Sequence, residues 1–154
     1  MSSTSLYLYL EDLALGQVYL SGTYEVTAAE IKEFAAKYDP QPFHLDEEAA
    51  AETFFAGLAA SGWLTASITM RLLVDGGLPI SGGLIGAGGE ITWTRPTRPG
   101  DILQVESEVI EIADMPTRPT SGLVTVRSRV RNQDKKVVQV LVAKLLVPRR
   151  NLLL

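Results

Sequence analysis

Residues Ser61 to Val74 read "SGWLTASITMRLLV" and hold a single charge, Arg71. A helix that is apolar nearly all round belongs inside a domain rather than on its surface. The segment therefore predicts a buried central helix, ended by "DGGLPISGG" (75–83), whose glycines and proline stop helices. Four β-branched, mostly alternating runs follow: "GGEITWTRP" (88–96), "DILQVESEVIEI" (101–112), "GLVTVRSRVRNQ" (122–133) and "KVVQVLVAKLLVP" (136–148). Turn chemistry separates them, as in "RPTRPGD" and "NQDKK". "QVYLSGTYEV" (17–26) adds a fifth candidate strand. No repeat, low-complexity segment or linker interrupts the order, so the expectation is one α+β domain over residues 1–154, an antiparallel sheet wrapped around one helix. Such a sheet leaves edges that proteins commonly cover, which suggests a dimer.

Upstream, Thr27 and Glu30 stand at capping-box spacing, each side chain able to satisfy the other's backbone N–H. Ile31, Phe34, Ala35 and Tyr38 then recur on one helical face, while Lys32, Glu33 and Lys37 face water. Asp39-Pro40 ends that helix, because proline disfavours helical geometry in the residue before it. Asp46 is placed to cap a short helix opening with Glu47 and Glu48, where negative charge suits the positive end of the dipole.

Composition narrows the function classes. The 154 residues are 46% apolar and 21% charged, the balance of a globular domain, and a single core commonly forms at about 100–200 residues. The net charge is −4 and the basic residues form no stripe, which argues against a nucleic-acid partner. No apolar run approaches the ~20 residues of a membrane span. The opening "MSSTSLYLYLEDL" lacks the basic n-region of a secretory signal, so none is expected there. With one histidine and no cysteine, no metal site is expected, and the lack of thiols suits a cytoplasmic protein.

Two segments invite a ligand. "SGGLIGAGGE" (81–90) leaves a helix and enters a strand, the reverse of a dinucleotide or P-loop motif, so its glycines are expected to serve turns, a bulge or close backbone approach. "RPTRPGD" (95–101) offers Arg95 and Arg98 to an anion, but a rigid turn with solvated arginines explains it as well.

The remaining chemistry lies in "AAKYDPQPFHLDEEAA" (35–50), where Asp39 and the single histidine, His44, are joined through Pro40 and Pro42. A carboxylate beside an imidazole supplies a proton donor and an acceptor near neutrality. The prolines restrict the bridge and so hold the two in a defined relation. A plainer reading stands beside it: a helix end, a turn, and a histidine in a polar niche.

"YDPQPFHLDEEAA" resembles the hydratase-2 motif of the MaoC-like dehydratases, the (R)-specific enoyl-CoA hydratases, with Asp39, Pro42, His44 and Asp46 on the motif. "AASGWLTASITMRLLV" is similar to that family's central helix and "GGEITWTRPTRPGD" to its glycine-led strand and turn. The resemblance implies a hot-dog fold, usually dimeric, acting on an acyl-thioester substrate without a cofactor. It implies that Asp39 and His44 hold the water added to a trans-2-enoyl thioester, and that the Gly62 backbone N–H binds the thioester carbonyl. Gly62 also admits a packing role. Gln41 stands where the family has asparagine and is assigned to orient the loop, while Phe43 and Trp63 are candidates for the acyl pocket. For Trp63 a place in the core is the favoured alternative. Lys37-Tyr38 and Ser61 depart from the family's small residue, glycine and histidine. Two other functions remain open: a non-catalytic acyl-thioester binding or assembly subunit, and a hot-dog thioesterase. The latter is disfavoured because many such enzymes carry a carboxylate on the central helix, and Ser61 to Val74 holds none.

Overall fold

In the computed structural model, which describes residues 7–150, five strands form one antiparallel sheet. They are β1 (Val18–Glu25), β2 (Ile85–Trp93), β3 (Ile102–Asp114), β4 (Ser121–Arg131) and β5 (Val137–Pro148), in the order β1-β3-β4-β5-β2. The helices are α1 (Ala28–Tyr38), α2 (Pro42–Leu45), α3 (Glu47–Ala51) and α4 (Gly62–Leu72), the last running on into a wider turn to Gly77. The first residues of "MSSTSLYLYLEDL", on which the expectation about a secretory signal rests, lie outside the described residues. No helix among the described residues is long and apolar enough to cross a membrane.

Alternation sets the register. In β3, Leu103, Val105, Ser107 and Val109 turn inward while Glu106 and Glu108 face out. Glu108 sits directly opposite Arg127 of β4, and their side chains meet at 2.9 Å. Shifting the strand by one residue would bury those charges, so pattern and pairing agree. The inward face meets Leu64, Ile68 and Leu72 of α4 in one core with Val124, Val126 and Val130 of β4 and Val138 and Val147 of β5. This is the hot-dog arrangement, a sheet curled on a central helix.

Two expectations about helices need correction. Thr27 does cap α1, accepting from the Glu30 N–H at 3.1 Å, but the reciprocal half of the capping box is not made. The Glu30 carboxylate accepts instead from the Tyr24 hydroxyl at 2.6 Å, tying α1 to β1. The central helix, for its part, is not buried all round. Its inner face carries Leu64, Thr65, Ile68, Thr69 and Leu72, while Trp63, Met70 and Val74 are exposed. A sheet on one side covers only one face, and apolar composition does not say which.

The glycine cluster does what a strand entry requires. The pairing of β2 with β5 shifts between Gly86 and Gly88, and Gly88 takes φ +145°, open only to glycine. A side chain at Gly89 would meet the Val142 carbonyl oxygen at 2.4 Å.

Candidate active site

The site begins where α1 stops. Asp39 leaves helical geometry at φ −152° while its N–H still donates to the Ala35 carbonyl at 2.8 Å, so its side chain projects from the helix end. Pro42 then starts α2, a position where its missing N–H is no loss. One turn later that helix aims His44 back at Asp39: Nε2 lies 3.3 Å from Asp39 Oδ2, and His44 is 5% exposed. The other ring nitrogen, Nδ1, lies 2.6 Å from the Ala59 carbonyl oxygen. A carbonyl only accepts, so Nδ1 carries the hydrogen and donates it, and in the neutral ring Nε2 is the acceptor. With the ring neutral, Nε2 and a carboxylate oxygen are two acceptors 3.3 Å apart that face one point, where a single donor placed to one side can serve both.

Burial pushes the Asp39 carboxyl up, but the hydrogen bond from the Gln41 amide and the nearby Ser61 hydroxyl, with the pull of the His44 ring whenever it is protonated, outweigh it and hold the group below the ordinary carboxylate range. Asp39 is thus ionised at neutral pH. Gln41 Nε2 donates to Asp39 Oδ1 at 2.5 Å, so the residue expected to orient the loop acts on the carboxylate. Ser61, fully buried, caps α4 by accepting from the Trp63 N–H at 3.2 Å, and its hydroxyl also helps hold the Asp39 carboxyl down, an influence its sequence position does not announce. A serine immediately before a glycine and an apolar run is an N-cap signal, but nothing local tells that it bears on a residue 22 positions earlier. Ser61→Ala removes one of the influences that lower the Asp39 carboxyl, so its pKa rises. The acid limb of a pH–rate profile is expected to move to higher pH, with about 1 kcal/mol lost from the cap. Activity against pH, alongside thermal denaturation, checks both.

Gly62 opens α4 beside this pair. The Trp63 N–H is taken by Ser61 Oγ, and those of Leu64 and Thr65 by the Ser61 carbonyl. Among the described residues the Gly62 N–H has no protein acceptor. It borders a cavity of about 460 Å³ whose lining includes His44, Phe55, Thr65, Trp93 and Arg95. Neither residue proposed for an acyl pocket lines it. Phe43 instead props His44, ring to ring at 4.6 Å and edge-on, because α2 turns it toward Phe55 and the core. Trp63 is 59% exposed, which also overturns the core alternative, and meets Trp93 edge to face at 5.1 Å.

The expectation of solvated arginines fails for Arg98. Its guanidinium reaches across the fold to the carbonyls of Phe55 (2.6 Å), Gly57 (3.0 Å) and Leu58 (3.2 Å). Those residues lead into Ala59, whose carbonyl holds His44. Arg98 converts a loop without regular structure into a fixed wall, because one planar fork satisfies three acceptors. Arg98→Ala is expected to destabilise the protein by about 1.5–3 kcal/mol, read by chemical denaturation. Arg95 is exposed and reaches the cavity.

A family model described as a MaoC like domain matches residues 12–133. A solved structure of a MaoC-like dehydratase from Rhodospirillum rubrum is 56% identical, with a TM-score of 0.92 over 94% of this chain and 99% of that one. The (R)-hydratase PhaJ1 of Pseudomonas aeruginosa is 31% identical, with a TM-score of 0.74 over 94% of this chain and 88% of that one. Among curated proteins, YdeM of Bacillus subtilis is 35% identical over 80% of this chain and 87% of its own length. A 3-hydroxybutyryl-CoA dehydratase of Methylorubrum extorquens is 33% identical over 68% of this chain and 66% of its own.

Proposed function

We propose the following reaction for this chain, which belongs to the MaoC-like dehydratase family: reversible addition of water to a trans-2-enoyl thioester of coenzyme A, giving the (3R)-hydroxyacyl thioester, or the reverse dehydration. The observation that carries it is the meeting of two acceptors, ionised Asp39 and His44 Nε2, at 3.3 Å beside a cavity bordered by an unengaged helix-start N–H. Water has two O–H donors, so it satisfies both acceptors and keeps its lone pairs free for attack.

In the forward direction the water oxygen bonds to the β-carbon as Asp39 takes its proton. The π electrons of the double bond move toward the thioester oxygen, where the Gly62 N–H, at the positive end of α4, stabilises the developing enolate. Collapse of that enolate forms the α C–H bond with the proton that passed from the water through the Asp39–His44 pair. His44 orients the water and helps deliver that proton. Atoms and charge balance, and no group beyond the substrate's own coenzyme A enters the reaction. The (R)-hydratase relative supports the stereochemical outcome. Chiral analysis of the product tests it: the (3R) isomer is expected, and a (3S) or racemic product would overturn the proposal.

The working unit is proposed to be a homodimer. Among the described residues β2 pairs only with β5 and is exposed along nearly its whole length, and the Trp63, Met70 and Val74 face of α4 is also exposed. A second copy would cover both, since an open strand edge and an apolar face each favour a partner. Sedimentation is expected to give twice the chain mass, and a monomer at micromolar concentration would refute it.

A further inference from the structure

We infer that Trp93 is the wall that restricts the acyl pocket to short chains, and that buried Gln139 holds it in place. The inference rests on the enoyl-thioester reading and specifies its substrate class.

Trp93, the last residue of β2, lines the same cavity as His44 and Gly62. Its indole lies flat against the start of α4: a Cβ built on Gly62 would come 2.4 Å from Cε2 and 2.7 Å from Cδ2 and Cζ2. The ring therefore stands directly beside the N–H proposed to bind the thioester carbonyl. An acyl chain that passes the β-carbon and turns to this side of the cavity meets the indole.

Such a wall limits chain length only if it cannot swing away. Trp93 Nε1 donates to Gln139 Oε1 at 3.0 Å, and Gln139 Nε2 donates to Thr69 Oγ1 at 2.8 Å. The Thr69 hydroxyl in turn donates to the Thr65 carbonyl at 2.7 Å. Gln139 and Thr69 are both fully buried, on β5 and α4. A glutamine amide in an interior of valines is unfavourable unless both its functions are used. Here they are used to fasten the indole to the helix that carries Gly62. Trp63 packs against one side of the indole, edge to face at 83°, and leaves Trp93 41% exposed. A swing of the indole would leave a buried amide oxygen without a donor, so the wall is stiff. The cavity of about 460 Å³ lies toward the small end of ligand pockets, roughly 300–1,000 Å³.

The test compares kcat/KM for four-carbon and ten-carbon trans-2-enoyl-CoA in the wild type, Trp93→Ala, Trp93→Leu and Gln139→Leu, each checked for folding by circular dichroism. The wild type is expected to prefer the four-carbon substrate. Trp93→Ala should raise the ten-to-four-carbon ratio about 10- to 200-fold. Trp93→Leu, a milder truncation that covers failure of the alanine variant to fold, should raise it less. Gln139→Leu, acting through an intact Trp93, should shift the ratio in the same direction, which a loss of stability alone would not do. A ratio unchanged within twofold in the folded Trp93 variants overturns the inference, as does a wild type that prefers ten carbons. If the wild type hydrates neither substrate, the reaction proposed above fails, and calorimetric titration with butyryl-CoA and decanoyl-CoA tests the wall by itself. Trp93→Ala or Trp93→Leu must then tighten decanoyl-CoA relative to butyryl-CoA. An unchanged relative affinity, or no binding of either ligand, overturns the inference.

Discussion

His44→Ala and Asp39→Asn are each expected to lower turnover of an enoyl-CoA about 10²–10⁴-fold, the range for a positioned acid–base group, while the protein stays folded. The two substitutions act differently on the same point. Removing the imidazole takes away Nε2 and frees the Ala59 carbonyl, which lies 2.6 Å from Nδ1 in the wild type. Asp39→Asn keeps the shape but offers an amide N–H where a carboxylate oxygen now accepts, so the site loses its base and one of its two acceptors. Because both residues serve one proton path, the double variant is expected to lose far less than the product of the single effects. Single-turnover rates for the three variants check this. Normal turnover in either single variant would remove Asp39 and His44 from the mechanism.

Gly62→Ala is expected to be the second most damaging change, although it adds only a methyl group. The new Cβ would fall 2.4–2.7 Å from three atoms of the Trp93 ring. That ring does not retreat freely, being held through Gln139 to Thr69. The start of α4 must move instead, taking with it the Gly62 N–H and the Ser61 hydroxyl. Overpacking of this kind costs about 1–3 kcal/mol of stability. A displacement of about 1 Å near the reacting atoms is enough to lower the rate roughly 10²-fold. Thermal denaturation and kcat/KM together report the two effects. Full activity in Gly62→Ala would show that the α4 start is not where the charge develops.

Much of this architecture was legible residue by residue. Thr27, the apolar spacing from Ile31 to Tyr38, and Asp39-Pro40 marked α1; inward and outward alternation marked β3 and β4; and the proline-stiffened run from Asp39 to His44 marked the pair that the fold brings to 3.3 Å. These are local signals, carried within a turn or a strand. What escaped depends on contacts far apart in the chain. Trp93 and Gln139 are 46 residues apart, and Arg98 reaches a carbonyl 43 residues before it. Trp63 was misplaced for a related reason: in a helix that is apolar nearly all round, periodicity cannot say which face the sheet covers. Glu30 shows the same competition on a small scale, since a tertiary partner, Tyr24, displaced the local capping box.

The most direct measurement is the initial rate at which the wild-type protein removes the conjugated absorbance of crotonyl-CoA, with His44→Ala alongside and free thiol assayed in the same samples. Steady loss of absorbance without thiol release is expected in the wild type, and at least about a hundredfold slower loss in the folded variant. Equal rates in the two proteins, release of free coenzyme A, or binding without turnover across short enoyl-CoAs would contradict the proposed reaction.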